Sequence, residues 1–355
     1  MTTIAILSFS EVLDTDPTPD SSEVLDTDPT PDSSEVLDTD PTPDSSEILN
    51  VDLANLGEPA IDYQKLSVDE LILFGDKAVN EYRFDSAEIF YKIALEKEPD
   101  NVKALNGVGY VTTEQNRFDE AHEYYDKVLQ IESDNTNANI GIGYIFIQTE
   151  AFDKAISFFQ TVLDVNLENV NALNGLGLAY TGLRSYDNAI DNFNLSLNIN
   201  PDKVETINGI GFAYYRNNEY EKSESYYREA LVKDEDNPYT LNGLILVLTL
   251  QDKLEEMESL LTKVDQRGQF IVVQMIKEGK YLNSIGEFNT SSLIFENALL
   301  IEPNNIDALY GNAVALKELK KYDDLEYFVD RILELDEQYI DAIALKEFMD
   351  TQIAN

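Results

Sequence analysis

Three residue patterns in this chain are of a kind that could carry chemistry. The first is the glycine pair in ALNGLGLAY, Ala172 to Tyr180, where Gly175 and Gly177 resemble the start of a phosphate-cradling loop. Such a loop needs its glycines between a strand and a helix, so that free backbone N–H groups point at the anion. Here they lie inside an apolar stripe with helical spacing, Leu173, Leu176, Gly177 and Tyr180, and no lysine follows in the Walker spacing. A nucleotide site is not expected.

The second pattern is the sole histidine, His122, which sits beside the packing residue Ala121 and reads as a solvated helix position rather than a general base. Dense carboxylates such as Glu255, Glu256 and Glu258 form the third, and a run of this kind is ordinarily a solvated face. There is no cysteine, which removes disulfides, thiolate metal sites and a thiol nucleophile. No catalytic residue, metal ligand or cofactor is expected, and the chain reads as a non-enzyme.

The charge narrows the partners. With 68 acidic and 25 basic residues the formal charge is −43, which repels nucleic-acid phosphates and anionic headgroups at long range. A neutral or basic protein or peptide is the expected partner. The N-terminus has no basic region before its short apolar run, Ile4 to Leu7, and no segment has about 18 uninterrupted apolar residues. A cytoplasmic location away from membranes is the expectation.

The elements that position these residues follow from two repeats. EVLDTDPTPDSS occurs three times unchanged, from Glu11, Glu23 and Glu35. Each copy has four carboxylates, no cation, two prolines and one Val-Leu pair to bury, too little to offset the entropy of ordering. Residues 1–64 are therefore expected to be a disordered acidic tail. Three readings of it stand side by side: a multivalent hook for a partner, a slippage duplication, and a segment that visits the chain's own binding face.

The second repeat is longer. ALNGVG at Ala104, ANIGIG at Ala138, ALNGLG at Ala172, TINGIG at Thr206 and TLNGLI at Thr240 follow one another at intervals of 34 residues, and ALYGNA at Ala308 lies two periods further on. Within one period an apolar stripe is followed by a second at Ala189, Phe193 and Leu197, closed by Pro201, which predicts two antiparallel helices. The register predicts eight units, 68–101, 102–135, 136–169, 170–203, 204–237, 238–271, 272–305 and 306–339, then a capping helix over 340–355. Departures fall at Asn139, Ile245, Met257, Glu278 and Asn312, where the pattern calls for other residue types.

On these residues the chain resembles the tetratricopeptide-repeat family. Leu173, Leu176, Gly177, Tyr180, Ala189, Phe193 and Pro201 supply that family's pattern in the fourth unit; Leu71, Phe74, Gly75, Ala87, Tyr91, Ala94 and Pro99 supply it in the first. The resemblance implies an all-α, right-handed superhelical solenoid of helix-turn-helix repeats with a concave groove that takes a protein ligand. It also implies that Gly177 and its equivalents admit the paired second helix, and that the glycine two residues earlier faces the groove. There Gly107, Gly175 and Gly209 would leave the floor bare.

An asparagine precedes that glycine at Asn106, Asn174, Asn208 and Asn242. Its amide offers one acceptor and two donors, matching the N–H and C=O of an extended peptide without reading its sequence. Together with the aromatics Tyr110, Tyr144, Phe212 and Tyr215 these residues form the candidate groove. The alternative is that Asn-Gly was simply amplified by duplication. A carboxylate clamp of the kind some family members use is not expected, because the positions carry Asn137, Ile140, Asn171 and Asn174, with Lys103 as an isolated cation. A protein-binding scaffold is the first reading of function; a self-assembling homo-oligomer, with Glu278 and Asn312 marking an intersubunit contact, is the second.

Overall fold

The structure, a computed structural model, describes residues 63–261 and 268–353. The expected tail lies outside them, except for its last two residues. Tyr63 begins a short 3₁₀ turn, Tyr63–Lys65, and is buried edge-on against Phe74 and Phe90, so the folded part starts earlier than the expected boundary at residue 64.

Among the described residues there are 17 α-helices and no strand, the all-α repeat architecture expected. First helices of successive repeats are α1 (Val68–Asn80), α3 (Val102–Glu114), α5 (Thr136–Gln148), α7 (Val170–Gly182), α9 (Val204–Arg216), α11 (Pro238–Leu250), α13 (Gly268–Ser284) and α15 (Ile306–Glu318). Second helices are α2 (Phe84–Lys97), α4 (Phe118–Ile131), α6 (Phe152–Val165), α8 (Tyr186–Ile199), α10 (Tyr220–Lys233), α12 (Leu254–Leu261), α14 (Phe288–Ile301) and α16 (Tyr322–Leu335), and α17 (Ile340–Ile353) ends the series. The chain divides into two compact units, whose described residues are 63–141 in one and 142–261 with 268–353 in the other.

The helix starts are written locally. Asn101, Asn169, Asn237 and Asn305 sit in extended backbone before a first helix, and each side chain accepts from the amide three residues on, for example Ala172 N to Asn169 Oδ1 at 2.9 Å. Such a cap satisfies one of the N–H groups that a helix start leaves without a partner. Ser67 does the same before α1, in a reciprocal capping box with Glu70. Lys203, before α9, makes no side-chain cap. Between the two helices of a repeat one residue takes a left-handed conformation, as Arg184 does at φ 59° and Asn218 at φ 60°. That residue reverses the chain within three positions.

The two helices of a repeat pack side by side, as α1 does on α2, α7 on α8 and α13 on α14. Buried carboxylates also tie repeats together: Glu88 of α2 accepts from Lys92 and from Arg117 of the next repeat, each at 2.6 Å, and Glu224 of α10 accepts from Arg228 at 2.8 Å and Lys253 at 2.6 Å. Burial pushes both carboxyls up, but these cationic donors outweigh it and hold them below the ordinary range.

The departures from the repeat pattern all pack internally. Asn139 donates to the Asn135 carbonyl at 2.9 Å, and Ile245 and Met257 are buried in the core around α11. Glu278 accepts from the Tyr215 hydroxyl at 2.9 Å, and buried Asn312 accepts from Ser292 at 2.6 Å. This corrects the expectation that Glu278 and Asn312 disrupt the array, because α13 and α15 run unbroken through them and both side chains are buried.

Candidate functional site

The glycines explain one another once the rings are in place. A Cβ added to Gly177 would lie 2.6 Å from the Phe193 ring of its own repeat, and one added to Gly209 would lie 2.5 Å from the same ring. Phe193 is therefore clamped between glycines of two successive first helices. The arrangement recurs as Gly75–Tyr91–Gly107, Gly109–Tyr125–Gly141, Gly143–Phe159–Gly175, Gly211–Tyr227–Gly243 and Gly279–Phe295–Gly311. The bare floor expected at Gly107, Gly175 and Gly209 is corrected accordingly: the space beside each is filled by the ring of the preceding repeat. Gly inside a helix costs roughly 0.5 to 1 kcal/mol against Ala, and burial of an aromatic ring against two backbones more than offsets it. Where the glycines are missing the ring is missing too. Ile245, Leu261 and Lys277 hold the three positions in one set, and Ala313, Val329 and Leu345 hold them in another. Glycine, ring and glycine stand 16 residues apart, a signal the sequence carries but the 34-residue repeat hides.

The asparagines are partly explained in the same way. Thr206 donates its hydroxyl to Asn174 Oδ1 at 3.0 Å, and Thr240 donates to Asn208 Oδ1 at 2.9 Å, each bond joining one first helix to the next. Asn208 also donates to Asn237 at 3.5 Å. These two asparagines thus staple repeats together. Asn106 and Asn242 stand at the same place with Ala138 and Gln274 where the threonine would be. Their Oδ1 atoms are buried and have no hydrogen-bond partner among the described residues.

Asn106, Gly107 and Tyr110 belong to residues 63–141, where the Tyr110 ring lies edge-on to Phe84 at 6.4 Å. The other eight candidates belong to residues 142–353. Tyr144 packs edge-on against the clamped ring of Phe159, centroids 5.3 Å apart, so it supports the core rather than standing as a free wall. Asn174 and Gly175 are buried along α7.

Five candidates do converge. Asn208, Gly209, Phe212, Tyr215 and Asn242 line a narrow pocket of about 40 Å³ between α9 and α11, completed by Leu178, Tyr239, Leu246 and Glu278. Residues from α13 wall it because that helix reaches past α11 to touch α9. Tyr215 and Glu278 are 63 positions apart, and Arg216 hydrogen-bonds Tyr281 while stacking 4.2 Å from the Tyr281 ring centroid. A second, wider pocket of about 240 Å³ adjoins the first and shares Tyr215 and Glu278 with it. Glu278 is fully buried, and burial pushes its carboxyl above the ordinary range, against the opposing pull of Arg216 and of the Tyr215 hydrogen bond. Burial likewise pushes the Tyr215 hydroxyl up, helped by the Glu278 carboxylate. The sequence reading missed Glu278 as a wall residue, since nothing local shows a carboxylate reaching across two repeats.

His122 lies 3.2 Å from Asp126 one turn on, and among the described residues no group of three or more His, Asp or Glu side chains could hold a metal ion. No helix among them is long and apolar enough to cross a membrane.

Models of the tetratricopeptide repeat match residues 73–139, 113–176, 170–203 and 204–233. Similar solved structures include a tetratricopeptide-repeat protein from Parabacteroides merdae, 21% identical, covering 70% of this chain and 98% of that one with a TM-score of 0.49. A structure described as pilF of Pseudomonas aeruginosa is 18% identical over 56% of this chain and 90% of that one, with a TM-score of 0.45. A MamA protein is 25% identical over 47% of this chain and 92% of that one, with a TM-score of 0.38. No curated protein matches the sequence. The clamped rings, the left-handed turns and the four matching models agree, and residues 73–233 of the chain are tetratricopeptide repeats.

Proposed function

We propose that this chain is a non-enzymatic protein-interaction scaffold, and that the narrow pocket between α9, α11 and α13 takes a side chain of an extended partner segment. Members of the family mediate protein–protein contacts, and the repeat fold is characteristically a non-catalytic support. The observation that carries the reading is Asn242. The residue is 5% exposed, its Oδ1 has no partner among the described residues, and it lines a pocket walled by Phe212, Tyr215 and Leu246. A buried acceptor left unpaired costs about 1 to 3 kcal/mol, which a donor on a bound side chain would recover. A neutral or basic segment suits the net acidic charge of the chain.

The experiment is a polarisation assay with labelled extended peptides that differ in one aromatic or aliphatic side chain, read on the full chain and on Asn242→Ala and Phe212→Ala. Binding about tenfold weaker in both variants, with unchanged melting temperature, supports the site. Equal binding in wild type and variants places the partner elsewhere. The self-assembly reading has no observation of its own, since Glu278 and Asn312 are both buried within the chain.

A further inference from the structure

The wider pocket differs from its surroundings in charge. From residue 63 onward the chain holds 52 acidic and 25 basic side chains, and most of the described cations face a carboxylate or an aromatic ring. Two arginines at the wider pocket, Arg184 and Arg216, have no carboxylate within ion-pair distance among the described residues. Arg184 leaves α7 at the left-handed turn, so its side chain is carried at the rim. Arg216 lies across the Tyr281 ring, which fixes the plane of its guanidinium while leaving other N–H groups to hydrogen-bond. Tyr186 and Thr290 add hydroxyls to the same wall. Of the two acids there, Glu278 is engaged by Tyr215, and Glu287 is exposed at the rim.

We propose that this pocket is a receptor for carboxylates of an acidic peptide, and that its ligand is the repeated segment EVLDTDPTPDSS of this chain. Residues 1–62 contain 16 acidic residues and no basic one, so this segment is the chemical complement of an arginine pair. Two arginines read a carboxylate through paired N–H donors, a geometry lysine does not offer. Three identical copies on one tether raise the effective concentration of ligand without tightening any single contact. The aspartates at positions four and six of each copy are separated by one threonine, so one extended strand presents two carboxylates to the same side. The site goes beyond the partner pocket proposed above: it uses different residues, takes a ligand of opposite charge, and is read with a different peptide.

The test uses the full chain with the twelve repeat carboxylates of residues 11–46 changed to Asn and Gln, and a labelled EVLDTDPTPDSS peptide as probe in polarisation measurements at low and at physiological salt. The neutralised chain is expected to bind the probe more tightly than wild type, whose own repeats compete. In the neutralised background Arg184→Gln is expected to weaken binding about tenfold and Arg184→Gln with Arg216→Gln about a hundredfold. Arg184→Lys should restore part of the loss. Because Arg216 also stacks on Tyr281, melting temperatures of each variant are read alongside, and the single Arg184 variant carries the conclusion if the double variant is unfolded. Equal probe binding with and without the arginines, no binding to the neutralised chain, or equal binding of an unrelated acidic peptide of the same charge would each overturn the proposal. The neutral and basic peptides of the partner assay report separately, so either proposal can fail alone.

Discussion

Thr206 donates its hydroxyl to Asn174 Oδ1 at 3.0 Å, across the junction between one first helix and the next, and the same hydroxyl lies 3.1 Å from Ser196. The asparagine that looks like a ligand-facing rung is thereby part of what holds successive repeats in register. Asn174→Ala leaves a buried hydroxyl with one partner fewer and is expected to lower stability by about 1 to 2 kcal/mol. Chemical denaturation of the Asn174→Ala and Asn208→Ala variants measures this, with binding of the partner peptides unchanged at Asn174. A stability equal to wild type would reject the staple.

The clamped rings make an opposite prediction to helix propensity. Gly209→Ala should gain roughly 0.5 to 1 kcal/mol in an isolated helix. In this chain the added methyl meets the Phe193 ring, and a net loss of about 1 to 3 kcal/mol is expected. Phe193→Ala removes a fully buried ring and should cost about 3 to 5 kcal/mol. Thermal unfolding checks both, and a Gly209→Ala chain more stable than wild type would show that the ring yields.

Lys203 stands where five other first helices have an asparagine cap, and makes no cap itself. Lys203→Asn is expected to stabilise the chain by about 1 kcal/mol, and Asn169→Ala to destabilise it by a similar amount. Urea titrations of the two variants should move their midpoints in opposite directions.

Glu278 gives the pH dependence its sign. Its folded pKa lies above the unfolded value, so the folded state holds the proton more tightly. Its contribution is fully present below the unfolded pKa and is lost as pH rises through the folded one. Glu278→Gln keeps an acceptor for Tyr215 without the buried charge. The variant should be more stable than wild type at pH 7, and the difference should vanish near pH 4. A difference independent of pH between those values would mean that the carboxyl titrates normally.

The helix-turn-helix repeat was legible because each of its causes is local or recurs at a fixed interval. The Asn caps, the apolar stripes and the family glycine all lie within one repeat, so reading one unit reads them all. The meaning of Gly175 was not legible in this way: its ring, Phe159, belongs to the preceding repeat. The asparagines misled for the same reason, since Thr206 and Thr240 complete them from the following repeat.

The sequence by itself determined the all-helical repeat, its spacing, and the acidic character, because periodic burial and net charge are sums over residue types and need no coordinates. Only the tertiary structure decided which Asn242 acceptor is left open, that Arg184 and Arg216 share a pocket, and that Glu278 meets Tyr215. Those relationships depend on how α13 approaches α9 across a full repeat. That approach is set by side-chain packing between distant helices, which no local interval records.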